Sequence, residues 1–230
     1  MRELISNARC VLFDFDGPVC RLFAVRSAAS VARRLRELAA ELSLTPLLTP
    51  ELRASDDPHR VLRALAGQRP GTPAIERLEQ ALTEEEVAAA ATAQPTPYAA
   101  ALIAALSTRG RQVAIATNNS PRAAEHYLSR YQLSGYVGGR VHGRARDLTL
   151  LKPHPDAVLR ALASTGTPAA QALMIGDSVS DLLAARAARV PFLGYAPTPP
   201  LAEAFTAAEA EHVVSSLEQV LTALIAPSLG

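Results

Sequence analysis

The sequence predicts an α/β protein, a doubly wound parallel sheet interrupted after its first strand by a smaller, all-helical insert. Three observations carry this. From residue 97 onward, short apolar runs alternate with helical periodicities, the pattern of parallel strands covered by helices on both faces. A further apolar run, Cys10-Val11-Leu12-Phe13, stands far upstream of the others. Between the two, residues 19–95 read as helices broken by prolines, with no strand pattern.

In chain order, Cys10–Phe13 is a buried strand ending in Asp14. Residues 21–42 form a periodic helix with Leu22, Val25, Ala29, Ala32, Leu35, Leu38 and Leu42 on one stripe, and Arg33 and Glu37 paired i,i+4 on the other face. Pro46 and Pro50 break the pattern, and helices follow over 58–66, 74–82 and 84–93. Thr83 with Glu86 three residues on has the form of a capping box opening the last of these. Helix 98–106 ends at Gly110, and strand Val113–Ala116 ends in Thr117. Helix 121–131 precedes a Gly-rich, strand-like stretch near 137–141, and helix 155–163 leads to strand Ala172–Ile175, which ends Gly176-Asp177. Helix 181–188, strand 191–195, helix 201–208, strand 212–214 and helix 216–225 complete the alternation.

Composition narrows the function. Of 230 residues, 49% are hydrophobic and 20% charged, and the mean hydropathy of +0.11 supports a packed core and excludes a disordered chain. Aromatics at 4% with no Trp speak against a stacking surface for single-stranded nucleic acid. A formal charge of +1 gives no bulk attraction to nucleic acid or anionic membranes. Two cysteines, Cys10 and Cys20, make neither a disulfide framework nor a four-ligand zinc site. No apolar targeting segment precedes Asp14, so a cytoplasmic location is expected. The uncharged stretch Val87–Thr108 is long enough for a bilayer, but it is mostly Ala and broken at Gln94-Pro95-Thr96-Pro97; it reads as two helices with a hinge.

Open α/β sheets bind ligands beyond the carboxyl ends of their strands. Those ends carry Asp14 and Asp16, Thr117 and Asn118, and Asp177, with Lys152 opening the stretch before helix 155–163. Asp14 and Asp16, two apart, point to the same side of extended chain, and Gly17 allows a sharp turn after them. Clustered carboxylates repel one another and call for a cation; Mg²⁺, a hard ion with oxygen ligands, suits them. With that charge offset, one carboxylate can act as nucleophile while another moves a proton. Lys152 and the Thr117 hydroxyl would orient an anionic group such as a phosphoryl. Lys152 is the sole lysine beside 22 arginines, which marks a site where a compact ammonium is not replaceable by a guanidinium.

The segment Val11-Leu12-Phe13-Asp14-Phe15-Asp16-Gly17 resembles the first motif of the haloacid dehalogenase superfamily. Ala116-Thr117-Asn118 resembles the second motif, Lys152-Pro153 the third, and Gly176-Asp177-Ser178-Val179-Ser180-Asp181 the fourth. All four fall in family order at predicted strand ends or helix starts. The resemblance implies a Rossmann-like core (1–18 and 96–230) and a mobile helical cap (19–95), as in the subgroup with phosphoglycolate phosphatase and β-phosphoglucomutase. It implies that Asp14 is a nucleophile forming an aspartyl-phosphate and that Asp16 is the acid and then the base. Thr117, Asn118 and Lys152 would hold the phosphoryl group. Asp14, Asp177 and the Asp16 carbonyl would hold Mg²⁺, with Asp181 orienting from nearby.

An acid at Asp16 points to phosphate esters, because family members acting on carbon–halogen or carbon–phosphorus bonds lack it. The expected activity is therefore hydrolysis of a small phosphorylated metabolite, with a phosphomutase or a non-catalytic binding protein as the alternatives. Pro18 departs from the usual Thr or Val after the first-motif Gly and stiffens the exit toward the cap. Arg21 and Arg26, nearest the hinge, are candidates for gripping an anionic substrate tail. Cys20 reads as buried filler, His154 as a loop residue at the site mouth, and Asp181 as a possible helix cap.

Overall fold

The computed structural model describes residues 1–226; residues 227–230, the end of the expected 96–230 segment, lie outside the described residues. Helix α1 (Arg2–Asn7) leads into β1 (Cys10–Phe13), and a two-residue strand β2 (Cys20–Arg21) pairs antiparallel with β3 (Gln94–Pro95). Between β2 and β3 lie α2 (Ala28–Glu41), α3 (Pro50–Arg53), α4 (Pro58–Gln68) and α5 (Pro73–Ala90). The chain continues through α6 (Ala99–Thr108), β4 (Gln112–Ala116), α7 (Pro121–Arg130), α8 (Ser134–Val137), β5 (Val141–His142), α9 (Asp156–Thr165) and β6 (Ala172–Gly176). It closes with α10 (Val179–Ala187), β7 (Phe192–Tyr195), α11 (Pro199–Ala207), β8 (Val213–Val214) and α12 (Leu217–Ile225).

The main sheet is six-stranded and parallel in the order β5-β4-β1-β6-β7-β8. Alternation along the strands splits its core in two. Val11, Phe13, Val113, Ile115, Leu173 and Ile175 face one way, under α6, α7 and α12. Cys10, Leu12, Ala114, Ala116 and Met174 face the other, under α9 and α10. Both faces are covered, as the near-continuous apolar runs require.

Helices α2, α4 and α5 share a separate cluster built on Leu35, Leu62, Leu65, Leu78 and Leu82, all buried. Leu148, far downstream in sequence, packs into the same cluster. At its C-terminal end α5 passes Ala89 and Ala90 to the sheet's own core. The Val87–Thr108 stretch is divided as expected: α5 stops at Ala90, β3 intervenes and α6 starts at Ala99. Among the described residues no helix is long and apolar enough to cross a membrane.

Three expected elements differ. The first long helix begins at Ala28 rather than near residue 21, because Cys20–Arg21 are drawn into pairing with β3 and Ser27 caps the helix by accepting from the Ser30 amide at 3.2 Å. The two helices expected over 74–82 and 84–93 are one, and Thr83 and Glu86 form no cap. The Thr83 hydroxyl donates to Glu79 at 2.9 Å and the Glu86 carboxylate is engaged elsewhere. The strand expected near 137–141 starts only at Val141, because residues 134–137 form a helical turn that Gly138 ends in the left-handed conformation.

Leu62 is 1% exposed at the centre of the α2–α4–α5 cluster. Leu62→Ala is expected to lower stability in urea unfolding by about 2–5 kcal/mol. A loss of a few tenths would show that these helices do not share a packed core.

Candidate active site

Register decides what meets at the sheet edge. Phe13 pairs with both Ile115 and Ile175, so Asp14, Thr117 and Asp177, which follow these three strands, emerge side by side at their carboxyl ends. The Asp14 amide continues the ladder by donating to Ile175 O at 2.9 Å. Asp14 is buried, its side chain 11% exposed.

Lys152, 2% exposed, donates to Asp14 Oδ1 at 2.8 Å, to Asp181 Oδ1 at 2.5 Å and to the Ala116 carbonyl at 2.9 Å. All three of its protons are therefore used, and it is no surface lysine. Burial works against the ammonium, but the Asp14 and Asp181 carboxylates outweigh it and hold the Lys152 pKa above the usual lysine range. Asp181 also accepts from the Ser178 amide and hydroxyl at 3.0 and 2.7 Å while Ser178 caps α10, so this aspartate both completes a capping box and orients Lys152.

Asp177 is thereby left uncommitted, since the cap of α10 falls on Ser178. Its pKa is raised well above the ordinary value by burial and by the charges of Asp14, Asp181 and Asp16. Gly17, at φ +113°, passes so close that a Cβ there would lie 2.2 Å from Asp177 Oδ2. Only glycine fits between them. Asp16 turns its carboxyl away from this cluster, Oδ1 accepting from the Leu22 amide at 2.8 Å. Any metal contact from Asp16 thus falls to its carbonyl. Burial pushes its pKa up to about 7, the Leu22 amide partly offsetting and the Asp14 charge adding.

Carboxylate oxygens of Asp14, Asp177 and Asp181 lie within 4.8 Å of one another. With Asp181 held by Lys152 and Ser178, Asp14 and Asp177 are the two free to take a cation. An oxygen-only donor set with uncompensated negative charge fits a hard divalent ion.

Thr117 and Asn118 occupy the expected place but are not both free. Thr117 Oγ1 donates to Asn119 Oδ1 at 3.0 Å and accepts from the Asn119 amide at 3.2 Å. The Asn118 side chain is tied to the Lys152 main chain, its Nδ2 donating to the carbonyl at 3.2 Å and its Oδ1 accepting from the amide at 2.7 Å. Rather than facing a phosphoryl group, that amide staples two segments of the site together.

The sequence reading missed a buried network. Glu86, fully buried on α5, accepts from Arg144 Nη2 at 2.9 Å, from the Ser120 amide at 2.9 Å, from Asn119 Nδ2 at 3.1 Å and from His59 Nε2 at 2.8 Å. Arg144, itself 7% exposed, also donates to the Asn118 carbonyl and to Thr83. The loop after β4 is thus anchored to helices of the 19–95 segment. Glu86 lies on the same i,i+4 stripe as Leu78 and Leu82, the one signal by which a buried carboxylate could have been found.

A cleft of about 630 Å³ opens at Asp16, lined across from it by Phe23, Ser55, Asp57, His59 and Arg60. Arg21 and Arg26 do not line it. Arg21 donates to Gln94 across the β2–β3 pair, and Arg26 is bound to Glu85. Cys20 is wholly buried and its thiol pKa is pushed up by burial, while His154 is an exposed loop residue accepting from the Asp156 amide. Pro18 sits in the turn in which the Gly17 amide donates to Cys20 O, a place that needs no donor from it.

A sheet that gathers acidic side chains and one ammonium at its carboxyl edge belongs to the α/β enzymes that process anionic ligands there. The haloacid dehalogenase-like hydrolase family matches residues 8–189, and the chain belongs to it. It is 31% identical over 193 residues to a phosphoglycolate phosphatase of Rhodospirillum rubrum, which covers 80% of this chain and 77% of that one. A phosphoglycolate phosphatase of Yersinia pestis is 29% identical over 133 residues, 58% of this chain and 56% of its own. Among solved structures, CbbY from Rhodobacter sphaeroides in complex with phosphate superposes with a TM-score of 0.67 at 21% identity, covering 94% of this chain and 99% of that one; this likeness is one of fold.

Burial alone would raise the Glu86 pKa, but Arg144 and His59 reverse this and bring it from 4.5 to about 2. Because the folded value is the lower one, Glu86 stabilises the fold fully above about pH 4.5 and progressively less as pH falls toward 2. A shift of that size corresponds to about 3 kcal/mol. Glu86→Gln is expected to lose stability of that order at pH 7 and to flatten the acid limb of the unfolding profile. An unchanged profile would contradict the assignment.

Proposed function

We propose that this chain is a Mg²⁺-dependent phosphatase that hydrolyses a small phosphorylated metabolite through an aspartyl-phosphate on Asp14. The observation that carries the proposal is the setting of Asp14. Its carboxylate is held by Lys152 at 2.8 Å, clustered with Asp177, and followed two residues later by an acid facing the cleft. The phosphoglycolate phosphatase relatives support a phosphomonoester substrate.

In this reaction the free oxygen of Asp14 attacks phosphorus, and the ester oxygen leaves with the proton of Asp16. Asp16 then takes a proton from water, which attacks the acyl phosphate, breaks its P–O bond and releases inorganic phosphate with Asp14 regenerated. Lys152 aims Asp14, and Asp181 keeps Lys152 in place. Asp14, Asp177 and the Asp16 carbonyl would hold Mg²⁺, which when bound offsets negative charge on the phosphoryl oxygens. Thr117 contributes its hydroxyl to the phosphoryl group only by exchanging its bond to Asn119, and Asn118 acts by fixing the Lys152 segment.

We take residues 19–95 as a cap over a core of 1–18 and 96–230. His59 and Arg60 of this cap line the cleft at Asp16, where they would face the leaving group and help exclude water from the first transfer.

The test is phosphate release from a panel of phosphomonoesters with and without Mg²⁺. Turnover of one or a few compounds is expected, abolished by EDTA and lowered at least a thousandfold in Asp14→Asn. Full turnover by that variant would overturn the proposal. A hexose 1-phosphate converted to its isomer without phosphate release would reassign the chain as a phosphomutase.

A further inference from the structure

A second polar cavity, of about 470 Å³, lies at the opposite end of the sheet from the catalytic carboxylates. Its lining comes from the residues that enter three strands: Arg9 before β1, Arg111 and Gln112 at the start of β4, and Gln171 before β6. Cys10 pairs with Gln112 and with Ala172, so these entries lie side by side. Asp14 is five residues along from Arg9, about 16 Å in extended chain, so the two sites are distinct.

All the charged residues lining this cavity are arginines, namely Arg9, Arg109 and Arg111. Among the described residues none of the three has a carboxylate partner, and no acidic residue lines the cavity with them. Arg111 is not a loose surface side chain. Its Nη1 donates to the Ala8 carbonyl at 2.7 Å and to the Ile5 carbonyl, which fixes the guanidinium at the cavity wall. Its pKa is lowered by burial and by the neighbouring charge of Arg109, so like charges are held together here without compensation. Arg109 makes only a 3.5 Å contact with Ala105 O. Gln112 Nε2 donates to Thr165 O, Thr165 Oγ1 to Leu162 O and Ser6 Oγ to Glu3 O, so these wall donors are met internally. The charge of the wall is that of the guanidinium groups, whose hydrogen-bonding capacity these contacts do not exhaust.

We propose that this cavity is a binding site for a phosphorylated small molecule carrying at least two phosphoryl groups, separate from the catalytic site. Arginine forks match phosphoryl oxygens two at a time, and three of them suit more charge than one phosphomonoester brings. The volume accommodates a bisphosphate or a nucleotide, where a bare orthophosphate would leave most of it filled with water.

The test uses inorganic pyrophosphate as the probe on the full chain, with EDTA present so that no metal recruits it to the catalytic carboxylates. Binding is followed by isothermal titration and by backbone amide NMR. The expected result is one pyrophosphate per chain, shifts at Gly110 and Gly166, weakening as salt is raised, and orthophosphate binding at least tenfold weaker. Arg9→Gln/Arg109→Gln, both exposed positions, should keep the wild-type unfolding midpoint and lose at least tenfold in affinity. Shifts confined to Asp14, Thr117 and Gly176, an affinity unchanged in the double variant, or no binding at millimolar pyrophosphate would each overturn the proposal.

Discussion

The site depends on one buried cation. Lys152 is enclosed by Asp14, Asp181 and the Ala116 carbonyl, and through these three contacts it joins β1, β4 and α10. Buried carboxylates remain ionised only when paired and hydrogen-bonded. Without the ammonium, Asp14 and Asp181 would share a desolvated edge with Asp177 and Asp16, and the cluster would take up protons. With it, Asp14 is paired, fixed in direction and still open on its second oxygen. This arrangement leaves Asp177 without a cationic partner, its pKa raised by burial and by the neighbouring aspartates, and that unmet carboxylate is the physical reason for expecting a divalent ion.

A second constraint works at longer range. Glu86 and Arg144 form a fully buried ion pair whose other hydrogen bonds go to Glu79, Asn118, Asn119, Ser120, Thr83 and His59. Buried pairs of this kind are poor sources of net stability but costly to break, so they define which segments stay together. Here they fasten the loop that follows Thr117 to α5, while Asn118 fastens the same loop to the Lys152 segment. Asp14, Lys152 and the loop expected at the phosphoryl group are therefore positioned by one connected set of bonds. His59 belongs to this set and also lines the cleft at Asp16, which ties the substrate side of the helical segment to the chemistry.

The parallel sheet and the location of the site were legible in the sequence because both rest on local pattern. Cys10–Phe13, Val113–Ala116 and Ala172–Ile175 are short apolar runs, each followed within two residues by a polar side chain, and register brings these together at one edge. What the sequence hid was the pairing of distant polar groups. That the Asn118 side chain bonds the main chain of Lys152, 34 residues away, has no signal in the sequence. Thr83 and Glu86 have the spacing of a cap, yet a helix already supplied with backbone partners on both sides has no orphan amides for them to satisfy. Arg21 and Arg26 stood near the hinge, but Gln94 and Glu85 lie within their reach first.

The central claim is that Asp14 becomes covalently phosphorylated, and it is tested most directly by mapping the phosphoryl group in a variant that forms the adduct but does not clear it. Asp16→Asn removes the proposed base for water while leaving Asp14 and Lys152 in place. Incubated with acetyl phosphate and Mg²⁺, whose good leaving group needs no proton from residue 16, then quenched in acid and digested, it should yield a phosphoryl adduct on Asp14, absent when Asp14 is also changed to Asn. An adduct on another residue, or none under conditions where the wild type releases phosphate, would contradict the account.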